Sequence, residues 1–206
     1  MKALIARRLA GTTPAPPEIY RVPGIAGDLP AALARLRPRA LVPAAVLLPI
    51  VERPAGLTVL FTVRAHGLRQ HAGQVSFPGG RLDPEDAGPR EAALRESAEE
   101  VGLAAGLVEV AGYLPNYLTI TGYSVTPVVG FVGDAFRPVP DAKEVSEAFE
   151  VPLEALLDPA NMRLRRKRYF GIELPYFEMP WGQHRIWGAT AAMLVNFRDT
   201  LQEPPA

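Results

Sequence analysis

The sequence predicts a mixed α/β fold of the α+β kind, in which a mixed β-sheet lies between α-helices. Short apolar segments bounded by Gly and Pro are typical of strands, and they occur before and after one clear helical segment. A second long helical segment follows the last strands, so each face of the sheet has a helix to cover it. The 206 residues are 48% hydrophobic and 21% charged, which fits one globular core.

The N-terminal region differs in composition from the rest of the chain. Residues 1–28 are rich in Pro and Gly and show no sustained hydrophobic period, so we expect an N-terminal arm with one short helix at most. Residues 29–206 are expected to form a single domain. It opens with a helix over 29–37, which ends before Pro38 because the residue before a proline disfavours the helical conformation.

The first half of the domain contains two apolar runs and one clear helix. Residues 40–52 and 56–65 predict strands separated by a Pro-Gly break. Residues 66–88 are polar and rich in Gly and Pro, and predict a structured loop that only the apolar piece 74–77 interrupts. The segment 89–101 predicts a helix, because Pro suits its first turn and Gly102 follows its end.

The second half continues the alternation of apolar segments and polar loops. We predict strands over 107–114, 124–132 and 144–151, a short helix over 152–158, a hairpin over 163–179 and a last helix over 187–201. The basic run 163–168 lies within the hairpin. We interpret it as a solvated edge strand rather than a nucleic-acid surface, since Lys and Arg protect sheet edges from pairing with other chains.

Composition excludes several classes of partner and site. The 22 basic and 22 acidic side chains cancel, so no net field attracts nucleic acid or an anionic membrane. The absence of Cys excludes disulfides, thiolate nucleophiles and Cys-based metal sites. No stretch supplies the ~20 apolar residues of a membrane span. We therefore expect a cytoplasmic protein that binds neither nucleic acid nor a membrane, and a homodimer is compatible with the sequence.

Three carboxylates on the predicted helix are candidates for metal binding. Glu96, Glu99 and Glu100 are spaced three and four residues apart, which places them on one helical face. Leu94, Ala98 and Val101 lie on the opposite stripe and are expected to be buried. Such a face is either solvated or a site for a hard cation such as Mg²⁺ or Mn²⁺, which prefers oxygen ligands. Gly79 and Gly80 lie just before the helix and have no Cβ, so their backbone could approach the metal closely and offer it a carbonyl.

The residues around this helix follow a known pattern, G-x5-E-x7-R-E-U-x-E-E-x-G-U, where U is aliphatic. Gly80 opens it, Asp86 stands at the first acidic position, and residues 95–103 supply the rest. Asp replaces Glu at the first acidic position, one extra residue precedes Arg95, and Ser97 occupies an aliphatic position. With this box the chain resembles the Nudix family.

The resemblance implies the Nudix fold and metal-dependent hydrolysis of a nucleoside diphosphate derivative. It implies that Mg²⁺ or Mn²⁺ is held by Glu96, Glu99 and Glu100 with the carbonyl of Gly79 or Gly80. The cation would neutralise the diphosphate and activate water.

Other residues receive roles by the same resemblance. Arg95 would orient a carboxylate by a bidentate pair, although a free surface charge is the alternative. Glu144 follows a polar loop and would reach over the metal site as a ligand or a base, unless it is a plain strand-edge residue. The expected catalytic set is therefore Arg95, Glu99, Glu100 and Glu144. Asp86 is interpreted as a loop or helix-entry residue rather than a ligand.

The stretch upstream narrows the resemblance to the coenzyme A pyrophosphatase branch, which follows L-L-T-x-R-S-x-x-x-R-x-x-x-G-x-x-x-F-P-G-G. Residues 60–80 match it, and segments 114–130 and 185–197 also resemble this branch. The residues in register are Thr62, Arg64, Arg69, Gly73, Phe77, Pro78, Gly79 and Gly80. This resemblance implies cleavage of CoA or a CoA thioester into 3′,5′-ADP and 4′-(acyl)phosphopantetheine.

The same segments supply candidate substrate contacts. Arg64 and Arg69 could grip phosphate, because a guanidinium presents a rigid fork of donors; surface salt bridges are the alternative. His71 either reaches the ligand or packs its loop. Tyr117 and Thr119 either line the substrate channel or belong to the core.

Two rival functions stay open from the sequence. The first is the same chemistry on ADP-ribose or a dinucleotide such as NADH, since the box encodes diphosphate hydrolysis and not the flanking group. The second is a non-catalytic nucleotide sensor, which the loss of a metal-binding glutamate would favour. Glu96, Glu99 and Glu100 are all retained.

Overall fold

A large mixed sheet and a small antiparallel sheet form the fold of the computed structural model, which describes residues 1–14, 41–67, 71–169 and 172–202. The helices are α1 (Lys2–Leu9), α2 (Pro89–Val101), α3 (Leu153–Leu157) and α4 (Ala189–Gln202). The strands are β1 (Val42–Arg53), β2 (Gly56–Arg64), β3 (Val75–Ser76), β4 (Gly79–Arg81), β5 (Val108–Tyr113), β6 (Tyr117–Leu118), β7 (Tyr123–Val132), β8 (Val145–Pro152), β9 (Arg163–Tyr169), β10 (Ile172–Trp181) and β11 (His184–Trp187).

Strand β1 organises the large sheet, whose main order is β3-β2-β1-β7-β5. It runs parallel to β7 along its length and antiparallel to β2 and β4. Strand β2 pairs with residues 50–53 at the end of β1, whereas β4 pairs with residues 44–46 near its start. Strand β8 adds to β2, and β6 adds to β7. The sheet is therefore mixed, as predicted.

The two faces of the large sheet contact different apolar layers. Along β1, Ala45 and Leu47 pack in the layer under α2, while Leu48 and Ile50 pack in the layer with α1, α4 and the small sheet. This alternation follows from the period of two in a strand. The sheet thus lies between helices, and this confirms the predicted α+β architecture.

Helix α2 has the bounds that the sequence predicts. Pro89 occupies its first turn, and Gly102 ends it in the left-handed conformation with φ 69°. Gly102 N–H donates to the carbonyl of Ala98 at 3.0 Å, and Leu103 N–H donates to that of Ser97 at 3.1 Å. These two bonds satisfy the last carbonyls of the helix, and the positive φ requires glycine at this position.

The buried stripe of α2 differs from the predicted one at one position. Leu94 is buried as expected, but Ala98 is exposed and Ser97 is buried instead. Ser97 Oγ donates to the carbonyl of Ala93 at 2.6 Å. A hydroxyl can thus stand at an aliphatic position, because its polar group is satisfied within the helix.

The long predicted strands are confirmed, but four short ones, β3, β4, β6 and β11, were missed. Strands β4 and β6 have three and two residues, too few to show a period. Strand β4 consists of Gly, Gly and Arg and forms because β1 offers it an unpaired edge.

The prediction that the last helix begins at Trp187 is wrong. Trp187 lies in β11 and pairs with Glu178 of β10, and α4 begins only after Gly188, whose φ is 63°.

The small sheet has the order β11-β10-β9, so the basic strand β9 lies at its edge. Residues 163–168 are all exposed. This confirms the interpretation of the basic run as a solvated edge strand.

The N-terminal residues contribute to the core. Ile5 and Leu9 of α1 are fully buried, and α1 packs against β5 and α4. The predicted helix 29–37 and the predicted boundary at residue 28 lie outside the described residues. No helix in the described ranges is long and apolar enough to cross a membrane.

Candidate metal centre

Helix α2 and the loop before β8 bring three carboxylates together. Glu96 and Glu100 are one helical turn apart, and Glu144 immediately precedes β8. One oxygen from each of these three carboxylates lies within 4.8 Å of the others. Their burial increases from the exposed Glu144, through Glu96, to Glu100, whose side chain is only 2% exposed.

The loop before β8 reaches this position because it is tied to neighbouring backbone. Asp141 N–H donates to the carbonyl of Glu100, and Val139 N–H donates to that of Val101, both at 2.9 Å. On the other side, Ala65 N–H donates to the carbonyl of Glu144 at 2.8 Å. Glu144 is thus held between the end of α2 and the end of β2.

The turn at Gly79 and Gly80 fits closely against the same carboxylates. Gly79 N–H donates to Glu100 Oε2 at 3.3 Å. A Cβ on Gly80 would lie 2.6 Å from Glu96 Oε2 and would collide with the rest of that carboxylate. At Gly79 the φ of 152° and the backbone of β1 exclude a side chain. Both glycines are therefore required by close approach, and backbone contacts the cluster directly.

Burial governs the electrostatics of the cluster. Desolvation raises the pKa of Glu100 to about 8, although Arg64 and the Gly79 N–H oppose this by favouring the charged form. Desolvation also raises the pKa of Glu96, against the effect of Arg95. Arg64 Nη1 lies 3.7 Å from Glu100 Oε1. Burial therefore disfavours the ionised form of both carboxylates in the metal-free protein, and a bound cation would favour that form.

Arg95 connects the cluster to the loop before α2. Its Nε and Nη2 donate to the two carboxylate oxygens of Asp86 at 3.1 and 2.9 Å, a bidentate pair. Its Nη1 donates to Glu96 at 3.0 Å and to Glu99 at 3.2 Å. The Asp86 side chain is only 6% exposed, and Arg95 is the first cause of its lowered pKa. Asp86 thus anchors Arg95, which in turn holds Glu96.

Glu99 occupies a different position from the other two helical glutamates. Its side chain is 58% exposed and pairs with Arg95 across one turn. It is not a member of the group formed by Glu96, Glu100 and Glu144. The helical spacing of three residues turns it toward solvent, at the margin of the cluster.

The predicted substrate contacts are dispersed. Arg64 lies at the cluster, and its buried Nε has no hydrogen-bond partner among the described residues. Arg69 lies outside those residues. His71 is exposed, with φ 59°, and its Nδ1 is 3.0 Å from Gln74 Oε1. Thr119 Oγ1 accepts from Tyr123 N–H at 2.8 Å and so stabilises a turn, while Tyr117 packs against the core.

A cleft of about 390 Å³ was not predicted from the sequence. It opens where β2, β3 and β8 meet β11, and Val63, Glu147, His184 and Trp187 are among its lining residues. His184 stacks on Phe149 with ring centroids 3.8 Å apart, and its Nε2 is 3.2 Å from Glu147 Oε1. Most of these residues are far apart along the chain, so the sequence does not indicate that they meet. The exception is Glu147 and Phe149, because side chains two residues apart in a strand point to the same face.

Comparisons with known proteins agree with the motif in α2. The family model described as the NUDIX domain matches residues 41–170. The protein NudL of Escherichia coli K12, an uncharacterized Nudix hydrolase, is 44% identical over 156 residues, which cover 73% of this chain and 78% of NudL. A related NudL from Shigella boydii shows the same identity and coverage.

Solved structures show more distant likeness. A Nudix hydrolase from M. smegmatis, RenU, is 24% identical with a TM-score of 0.45, over 58% of this chain and 75% of RenU. The NUDIX domain of Shewanella oneidensis NrtR, crystallised with ADP ribose, is 20% identical with a TM-score of 0.45, over 63% of this chain and 86% of that domain.

Proposed function

Because the chain belongs to the Nudix hydrolase family, we propose that it hydrolyses the diphosphate bond of coenzyme A or a CoA thioester. The products would be 3′,5′-ADP and 4′-(acyl)phosphopantetheine. The observation that carries this proposal is the position of the segment 60–80, which resembles the CoA branch. That segment supplies both Arg64 and the Gly79 N–H to the carboxylate of Glu100.

Hydrolases of this family generally use divalent metal ions, and the donor set fits such an ion. Hard cations prefer oxygen ligands, and the cluster offers carboxylates of different burial around a glycine turn. We propose that Glu96, Glu99 and Glu100, with the carbonyl of Gly79 or Gly80, hold Mg²⁺ or Mn²⁺ next to Glu144 of the same cluster. Glu99 is the outermost member of the proposed set. When bound, the ion supplies positive charge that neutralises the diphosphate and acidifies water.

The protein's own groups would then orient and activate the reactants. Arg64, whose side chain is 29% exposed beside Glu100, would donate from its terminal guanidinium nitrogens to a diphosphate oxygen. Arg95 and Asp86 would keep the Glu96 carboxylate in one rotamer. Glu144 is the exposed carboxylate of the cluster, and in the proposed reaction it accepts a proton as water attacks phosphorus and the bridging P–O bond breaks.

The test is a panel of diphosphates with Mg²⁺ or Mn²⁺ and product identification by mass. CoA, acetyl-CoA, dephospho-CoA, ADP-ribose, NADH and diadenosine tetraphosphate would be compared by kcat/KM. The expected result is cleavage of CoA or its thioesters into 3′,5′-ADP and the phosphopantetheine product. Turnover of ADP-ribose or NADH alone would contradict the CoA assignment, and binding without turnover of any compound would favour a sensor.

A further inference from the structure

Two hydroxyl groups, those of Thr62 and Ser76, lie on the same face of the large sheet as Arg64. Thr62 pairs with Ser76 across β2 and β3, and their Oγ atoms are 3.0 Å apart. Side chains two residues apart in a strand share a face, so Thr62 points the same way as Leu60 and Arg64. Leu60 packs in the apolar layer under α2, and Arg64 contacts Glu100 of that helix. The hydroxyl pair therefore faces α2 and its carboxylates.

The chain after Ser76 leads from β2 to the turn that contacts Glu100. Strand β3 pairs with β2, whereas β4, which begins three residues later, pairs with β1. Between them, the carbonyl of Pro78 accepts from Leu47 N–H at 2.9 Å. Gly79 N–H then donates to Glu100 Oε2 at 3.3 Å. Ser76 thus lies between β2 and the glycine turn, on the side of the sheet where the carboxylates lie.

The neighbours of Ser76 along the chain point away from the cluster. Val75 and Phe77 are both buried in the layer that contains α1 and α4. The Phe77 ring stacks on Phe61 with centroids 5.1 Å apart. Since side chains alternate between the two faces of a strand, burial of Val75 and Phe77 on one face holds Ser76 toward the other.

Burial decides how the two hydroxyl groups share their hydrogens. Thr62 has no exposed surface, so its hydroxyl has no access to water and must donate within the protein. Among the described residues it reaches Ser76 Oγ at 3.0 Å and the Ser76 carbonyl at 3.3 Å. Donation to the nearer atom leaves the hydrogen of the Ser76 hydroxyl unused. Ser76 is partly exposed, so this hydrogen is available to a ligand.

Resting on the proposed diphosphate hydrolysis, we propose that Ser76 is a further substrate-binding residue, whose hydroxyl donates to a phosphate oxygen beside Arg64. Thr62 is then a positioning residue, because its hydroxyl orients that of Ser76. The negative charge of a phosphate oxygen makes such a hydrogen bond short and strong. Arg64 would bind the diphosphate from β2 and Ser76 from β3, so that two neighbouring strands hold it next to the Gly79 turn.

The test measures binding of α,β-methylene-ADP to the full-length protein with Mg²⁺ by calorimetry. This probe carries a nucleoside diphosphate with a P–C–P link that water cannot cleave, so the result is independent of which substrate is turned over. Ser76→Ala is expected to weaken binding about tenfold, the size of one hydrogen bond to a charged group. Ser76→Thr keeps the hydroxyl and should stay within about threefold of wild type.

Ser146→Ala is the matched control, because it removes a hydroxyl from the neighbouring strand β8. Ser146 is exposed, and its Oγ donates to the Val63 carbonyl at 3.1 Å. Its affinity for the probe should stay within about twofold of wild type. Circular dichroism would verify that the variants fold.

A double-mutant cycle tests the positioning role of Thr62. Thr62→Val removes the buried hydroxyl and should weaken binding about threefold on its own, but it should have no further effect in Ser76→Ala, since it acts only through Ser76. Urea unfolding of the same proteins measures the structural contribution of the hydroxyl pair separately. Equal losses of affinity from Thr62→Val in both backgrounds would reject the positioning role.

Three results would overturn the inference. The first is wild-type affinity in Ser76→Ala, even with lower stability, because the pair would then only join β2 to β3. The second is an equal loss of affinity in Ser76→Ala and Ser146→Ala, and the third is a wild-type protein that does not bind the probe. The CoA assignment is judged separately by the turnover panel. Binding that depends on Ser76 without CoA hydrolysis would reject the proposed reaction and retain the phosphate contact.

Discussion

Replacing Glu100 with Gln should stabilise the metal-free protein at alkaline pH while abolishing most activity. Burial raises the pKa of Glu100 to about 8 from the ordinary 4.5. The Glu100 carboxyl is therefore harder to ionise in the folded protein than in the unfolded chain. At about 1.4 kcal/mol per pKa unit, this costs the folded state up to roughly 5 kcal/mol above pH 8. Gln has nearly the same volume and can still accept the Gly79 N–H.

The sign and the pH window follow from the raised pKa. Below about pH 4.5 the carboxyl is neutral in both states and has no effect; its cost grows as the pH rises to about 8 and is constant above that. Since Gln also deprives Arg64 of its charged neighbour, the net gain expected in Glu100→Gln at about pH 8.5 is roughly 2–4 kcal/mol. At about pH 5 the gain should be under ~1 kcal/mol.

The measurement is urea unfolding with EDTA at both pH values. Glu99→Gln is the matched control, because its side chain is 58% exposed and its substitution should change stability by about 0.5 kcal/mol or less. With saturating Mg²⁺, Glu100→Gln should lower kcat at least ~10²-fold. A variant that is less stable than wild type at the higher pH, or equally shifted at both, would refute the reasoning.

The remaining predictions concern the turn, the Arg95 anchor and the loop glutamate. Gly80→Ala should fold yet lose at least ~10-fold in kcat, because the new methyl displaces the Glu96 carboxylate; unchanged kcat would contradict this close approach. Asp86→Asn should cost roughly 1–3 kcal/mol in urea unfolding and weaken Mn²⁺ binding by titration, since Arg95 loses its charged bidentate partner; unaltered stability and Mn²⁺ affinity would show that Asp86 does not anchor it. Glu144→Gln should reduce kcat more than KM in steady-state assays, as expected for a base; an effect on KM alone would reassign it to binding.

The sequence by itself determined the local features of this protein. The bounds of α2 followed from Pro89 and Gly102, and the long strands followed from apolar runs between turn residues. The spacing of Glu96 and Glu100 already placed both carboxylates on one face. Such features depend on backbone preferences and on periods of two or 3.6 residues, which a sequence displays directly.

Only the tertiary structure decided how these pieces combine. The helical spacing predicted that Glu96, Glu99 and Glu100 share one face. In the structure, the packing of β4 and of the loop before β8 buries Glu100 and leaves Glu99 exposed to solvent. The same loop brings Glu144 to the cluster. Asp86 looked like a loop residue, yet it anchors Arg95. The cleft joins residues from β2, β8 and β11, and its walls depend on how two sheets pack. Packing between distant segments leaves no periodic signal in the chain, because each contact depends on the whole fold.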